Sequence, residues 1–121
     1  MKLIYENNIL VKIIPSKENQ WKQDTISHLK IDWEYLEERY TAFQVKVWKE
    51  IAKVKWNETR TYKDIAISIS SPNAYRAVAN ACGANPLPLL IPCHRIVSKT
   101  GTGGYSFGRE LKKSLLEKEG V

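Results

Sequence analysis

The sequence predicts an α/β protein: a mainly helical C-terminal domain with a winged-helix-like helix-turn-helix and one buried apolar strand, preceded by a short N-terminal β-hairpin. Three observations predict it. Two β-prone runs near the N-terminus flank the turn-prone Glu6-Asn7-Asn8. Apolar residues recur at helical spacing after Thr41. Two further helical stretches are separated by the breaker Ser70-Ser71-Pro72-Asn73. The division that follows is 1–40, a truncated segment with the hairpin, and 41–121, the main domain.

Taken in order, Lys2 to Tyr5 and Ile9 to Ile14 are the hairpin strands. Pro15 to Lys30, with Trp21, is polar and irregular, a linker. Thr41 is an N-cap for a helix of about a dozen residues whose apolar stripe is Phe43, Val47, Ile51 and Val54. Thr61 caps a short helix from Tyr62 to Ile69, and Ala74 to Cys82 resumes helical character until Gly83 stops it. The alanines at 74, 77, 79 and 81 make this second helix a slim rod. Asn85-Pro86-Leu87-Pro88 then leads rigidly into Leu89-Leu90-Ile91, a buried strand whose end carries Pro92-Cys93-His94-Arg95. Ser98 to Gly108 holds four glycines and reads as a turn and wing, before a basic helix from Arg109 to Lys118.

Composition sets the bounds. The chain has 121 residues, enough for one modest core, and 43% hydrophobic with 26% charged residues is ordinary for a globular protein. No apolar run reaches transmembrane length, and the first residues lack the apolar stretch of a secretory signal, so a cytoplasmic protein without a membrane partner is expected. Nineteen Lys and Arg against thirteen Asp and Glu give +6, which suits a polyanionic partner. Two cysteines and two histidines without paired spacing give no metal site.

Cys93 is the candidate nucleophile, because cationic neighbours at His94 and Arg95 favour a thiolate. A buried structural cysteine is the alternative. Adjacent residues on an extended strand point to opposite faces, so His94 would reach the sulfur through a bridging water. Arg76 is either a solvated surface arginine or a DNA contact, and Tyr62 and Tyr105 are either packing or pocket residues. The helix-turn-helix by itself also occurs in plain helical packing.

In combination, Tyr62, Asn73-Ala74-Tyr75-Arg76-Ala77-Val78, Asn85-Pro86, Ile91-Pro92-Cys93-His94-Arg95-Ile96-Val97 and Gly104-Tyr105-Ser106 resemble the O6-alkylguanine-DNA alkyltransferases. The similarity runs from about Phe43 to Gly120. It implies repair of O6-alkylguanine, mainly O6-methylguanine, by base flipping and single-use transfer of the alkyl group to Cys93. In that scheme His94 acts through a water as base, Glu119 orients and charges it, and Arg95 ties neighbouring structure together. Tyr62 would crowd the target's phosphate and donate a proton toward the guanine ring, and Arg76 would fill the vacated stack. Ala74, Tyr75 and Ala77 would share the DNA contact through the minor groove. Asn85 would hold the turn before the active-site strand, Tyr105 and Ser106 would wall the pocket, and the Ile96 backbone would help read the guanine edge. The implied partner is double-stranded DNA containing O6-alkylguanine, with the protein a monomer and no cofactor required.

The chain departs from the family pattern at three points. About forty residues precede the matching region, where the family usually has a larger N-terminal domain. The 97–105 loop is one residue shorter than the commonest form, and Tyr75 is bulkier than the small residue often found there. Three rivals stand beside this reading. A non-catalytic lesion-binding relative would replace the acceptor cysteine, and a DNA-binding regulatory module would have no use for Pro-Cys-His-Arg. A Cys/His hydrolase would need a histidine and oxyanion donors facing the sulfur.

Overall fold

The computed structural model describes residues 1–15 and 28–120. Most of the expected linker, Trp21 included, lies outside the described residues. Strand β1 (Lys2–Glu6) pairs antiparallel with β2 (Ile9–Ile14). Asn7 and Asn8 join them at φ 50° and 67°, left-handed angles that asparagine tolerates and that match the twist of a two-residue hairpin. A bulge falls where Ile4 faces Lys12 and Tyr5 faces Leu10. The extra residue, Val11, shifts the alternation so that Leu10 and Ile13 both turn inward. The Ile13 N–H donates to Pro86 O at 2.9 Å, so the hairpin docks on the loop leading to Cys93.

Helix α1 (Trp33–Arg39) is an element the sequence reading did not assign. Asp32 caps it by accepting from the Tyr35 N–H at 3.0 Å, and Leu36 is its one buried residue. Helix α2 (Ala42–Ile51) follows a reciprocal cap in which Thr41 and Gln44 bond each other's backbone. Its buried face is Val45, Val47, Trp48 and Ile51, wider than the expected stripe. Phe43 is half-buried, and Val54 is buried beyond the helix end. Trp48 Nε1 donates to Ala81 O at 2.9 Å, so the core's largest side chain also fixes α2 against the helix that carries Ala81.

The expected helix-turn-helix is present. Thr61 and Asp64 form a second capping box for α3 (Tyr62–Ser68), and α4 spans Tyr75–Gly83. Gly83 is the last helical residue, and Ala84, with an ordinary negative φ, follows as the cap. Strand β3 (Arg60–Thr61) runs parallel to β4 (Ile96–Val97), a pairing that places Tyr62 beside the segment after Cys93. The last helix, α5 (Arg109–Lys118), buries Leu111, Lys112, Leu115 and Leu116. Among the described residues, no helix is long and apolar enough to cross a membrane.

Candidate active site

The expected strand at Leu89-Leu90-Ile91 is not formed. The Ile91 N–H closes a turn on Leu87 O at 2.8 Å, Leu89 sits at φ 75°, and only an isolated bridge joins Pro88 to Ile91. Two prolines within this loop remove donors that a ladder would need. Cys93, His94 and Arg95 form a single 3-10 turn. Three residues per turn splay successive side chains about 120° apart, so a direct Cys93–His94 contact remains unfavoured, for a helical reason.

Asn85 organises the loop. Its Nδ2 donates to Ile91 O at 2.8 Å and lies 3.2 Å from Cys93 Sγ, while its Oδ1 accepts from the Leu87 N–H at 2.9 Å. Glu119, at the end of α5, organises the other side. Its Oε2 lies 2.6 Å from His94 Nε2, its Oε1 accepts from Arg95 Nε at 2.7 Å, and Arg95 also donates to Val54 O at 2.9 Å. All three side chains of this cluster are buried.

This arrangement overturns the expected resting thiolate. Burial pushes the Cys93 thiol well up, and neighbouring Cys82 adds to the rise; the Asn85 hydrogen bond and the Lys112 charge only partly oppose them. Arg95 spends its charge on Glu119 instead of the sulfur. His94 is held below its ordinary value, because burial outweighs the Glu119 bond, so the imidazole is neutral at neutral pH. With Nε2–H donating to the carboxylate, Nδ1 carries the lone pair, the form a base requires. Burial raises the Glu119 carboxyl, but the bonds to His94 and Arg95 outweigh it and keep it ionised below the usual carboxylate range.

Cys93 opens onto a cavity of about 390 Å³ bounded by α3, α4 and the glycine-rich wing. Tyr62, Ala79, Cys82, Gly83, Tyr105 and Ser106 contribute to its wall. The volume lies within the usual small-ligand range of about 300–1,000 Å³. Tyr105 Oη is buried without a protein hydrogen-bond partner. Ser106 Oγ donates to Gly83 O at 3.0 Å, so its hydroxyl is engaged by the protein. Gly103 has φ 78°, and a Cβ there would stand 2.9 Å from Tyr62 Oη; glycine is what lets the wing close over the tyrosine.

Ile96 is placed otherwise than expected. It is fully buried, pairs with Arg60 across the parallel strands, its carbonyl accepts from Lys112, and it is not among the residues that line the cavity. Arg76 is exposed near the start of α4 beside Ala74, Tyr75 and Ala77, while Ala79 and Gly83 of that helix reach the cavity. Arg76 lies three residues before Ala79, about 4.5 Å of helix rise, and seven before Gly83, roughly 10 Å.

The sequence reading missed two residues. Cys82 shares the cavity with Cys93, and both thiols are free. Lys112 is wholly buried, with Nζ donating to Ile96 O at 2.5 Å, Gly104 O at 3.0 Å and Tyr62 Oη at 3.5 Å. Its position between Leu111 and Leu115 on the inward stripe of α5 is the clue that could have found it.

A sequence model of one family, described as 6-O-methylguanine DNA methyltransferase, DNA binding domain, matches residues 42–121. The chain belongs to that family. The methyltransferase match continues in a protein of Acanthamoeba polyphaga mimivirus called a probable methylated-DNA--protein-cysteine methyltransferase. It is 56% identical over 84 residues, covering 69% of this chain and 56% of that one. Mycobacterium tuberculosis OGT in complex with DNA superposes with a TM-score of 0.65 at 44% identity, over 67% of this chain and 51% of that one. S. pombe Atl1, in complex with damaged DNA containing O6-carboxymethylguanine, gives a TM-score of 0.60 at 27% identity, over 69% of this chain and 80% of that one. The methyltransferase match therefore takes in α2 through α5 and the cavity, and the chain spans about half the length of the curated relatives it matches.

Proposed function

We propose that this chain repairs O6-alkylguanine in double-stranded DNA by transferring the alkyl group, once, to Cys93. The observation that carries this reading is the Cys93 sulfur at the wall of a base-sized cavity, backed by the buried His94–Glu119 pair. Attack on an alkyl carbon needs a thiolate on one side and a stabilised guanine anion on the other. Because the resting sulfur is a thiol, its proton leaves when substrate arrives. His94, neutral and oriented by Glu119, takes it through a water.

On the far side Tyr62 donates a proton toward the guanine, and Tyr105 and Ser106 wall the base. Tyr105 Oη is a partnerless polar atom for the base to meet, whereas Ser106 must first release Gly83. Asn85 and Arg95 hold the two loops that frame the sulfur. For DNA, the exposed start of α4 with Ala74, Tyr75, Arg76 and Ala77 lies in the minor groove, and Arg76 fills the vacated stack. The thioether formed is a poor leaving group, so each molecule reacts once, and the chemistry calls for no cofactor. A thiol acceptor must stay reduced to react, which suits a reducing, cytoplasmic setting.

A lesion-binding role without transfer is disfavoured by the acceptor itself, since Cys93 is present beside the cavity. A hydrolase is disfavoured because His94 is turned to Glu119. Incubation with duplex DNA containing O6-methylguanine is expected to add the mass of one methylene to the Cys93 peptide. Continued turnover on excess substrate, or an unmodified Cys93, would reject the proposal.

A further inference from the structure

Lys112 has no task in the scheme above, yet it is among the largest wholly buried side chains of the protein. Burying an ammonium is unfavourable unless its hydrogens meet acceptors. Here all three do, at Ile96 O, Gly104 O and Tyr62 Oη, and the ammonium also lies 5.7 Å from the centre of the Tyr62 ring. Of the three acceptors, only Tyr62 ionises. Its own hydroxyl hydrogen reaches Gly104 O at 3.4 Å, a long bond that leaves it free to turn toward the cavity it lines.

We propose that Lys112 is a positioning residue for Tyr62, holding the phenol oxygen from behind and returning a proton to it as Tyr62 protonates the departing guanine. The inference rests on the alkyl-transfer reading. As the S–C bond forms at Cys93, the C–O6 bond breaks and its electron pair stays on guanine. The Tyr62 proton neutralises that charge, a Lys112 proton passes to the tyrosinate oxygen, and solvent reloads the amine. The thiol proton leaves separately through His94.

The transfer from Lys112 to Tyr62 runs downhill. Burial pushes Tyr62 up to about 12 and brings Lys112 down to about 8, so a proton moves downhill from the lysine to a tyrosinate. The charged and titratable groups facing Lys112 are Tyr62 from α3, Cys82 from α4, Cys93 and His94 from the 3-10 turn, and Arg109 one turn earlier on α5.

The test compares two electrophiles on the full chain. Single-turnover transfer from an O6-methylguanine duplex needs a protonated leaving group; alkylation of Cys93 by iodoacetamide does not, because iodide leaves unaided. Lys112→Met is expected to slow transfer by about tenfold or more while changing the iodoacetamide rate by less than about twofold. Wild-type transfer should decline above about pH 8, and Lys112→Arg, which holds its proton too tightly to give it to a tyrosinate, should slow transfer at every pH. Tyr62→Phe combined with Lys112→Met should be no slower than Tyr62→Phe alone. Equal losses on both electrophiles, or additive losses in the double variant, would overturn the proposal. Should Lys112→Met fail to fold, the profile of Tyr62→Phe decides: its alkaline decline must vanish, and persistence overturns the relay. An unmethylated wild-type Cys93 would instead remove the alkyl-transfer reading and the relay with it.

Discussion

Glu119 Oε2 stands 2.6 Å from His94 Nε2, and neither side chain touches solvent. The same carboxylate takes Arg95, so one anion compensates a buried cation and orients a neutral imidazole. Glu119→Gln removes the charge and leaves Arg95 buried without a counter-ion. Breaking a buried pair from one side costs about 3–5 kcal/mol. Urea unfolding should show a loss of that order, and transfer to Cys93 should slow in whatever fraction stays folded. A loss below about 1 kcal/mol would mean that Arg95 finds compensation elsewhere.

The same cluster sets the acid limit of stability. His94 is depressed in the folded state, so as pH falls through the ordinary histidine range of about 6.5 the unfolded chain gains a proton that the folded one refuses. Stability should therefore begin to drop below that pH. Glu119 is also depressed. Its contribution is present above the unfolded carboxylate value of 4.5 and lost as pH falls through the folded one, giving a second, lower step. Urea midpoints across this range should show both steps, and His94→Gln should abolish the upper one.

Legibility followed the range of the interactions. Thr41 and Thr61 were readable as N-caps because a cap is local; their reciprocal partners Gln44 and Asp64, three residues on, were not read. The hairpin was readable from Asn7-Asn8, and α5 from its start at Arg109. Helix α1 escaped because one buried leucine in seven residues makes no stripe. The 3-10 turn at Cys93 escaped because it depends on a turn closed between Leu87 and Ile91 and on Asn85 reaching across the loop. Lys112 looked like one more surface lysine on a basic helix. Its acceptors lie at Ile96, Gly104 and Tyr62, up to fifty residues away, and only the folded chain brings them together.

Asn85 tests how the sulfur is tuned. Its Nδ2 is among the groups that pull the Cys93 thiol down against burial, and it also anchors Ile91. Asn85→Ala should raise the pH at which iodoacetamide modifies Cys93, since the thiolate loses a donor. It should also cost about 1–3 kcal/mol, because Ile91 O and Leu87 N–H lose a partner inside the protein. A pH profile that shifts down, or not at all, would show that Asn85 acts on the loop alone.

Arg76 separates flipping from chemistry. It is exposed near the start of α4, less than one turn before Ala79 on the cavity wall, and its side chain takes no part in the hydrogen bonds around Cys93. Arg76→Ala should therefore leave stability within about 0.5 kcal/mol, as surface substitutions do. A free O6-alkylguanine base needs no extraction from a stack, so its reaction with Cys93 should keep its rate. In a duplex, eversion costs a few kcal/mol, and an arginine in the gap offsets part of it. Each 1.4 kcal/mol of that offset is about tenfold in rate, so the duplex reaction should slow by about tenfold or more. Equal slowing on both substrates would place Arg76 in the chemistry, and no slowing on either would remove it from the DNA contact.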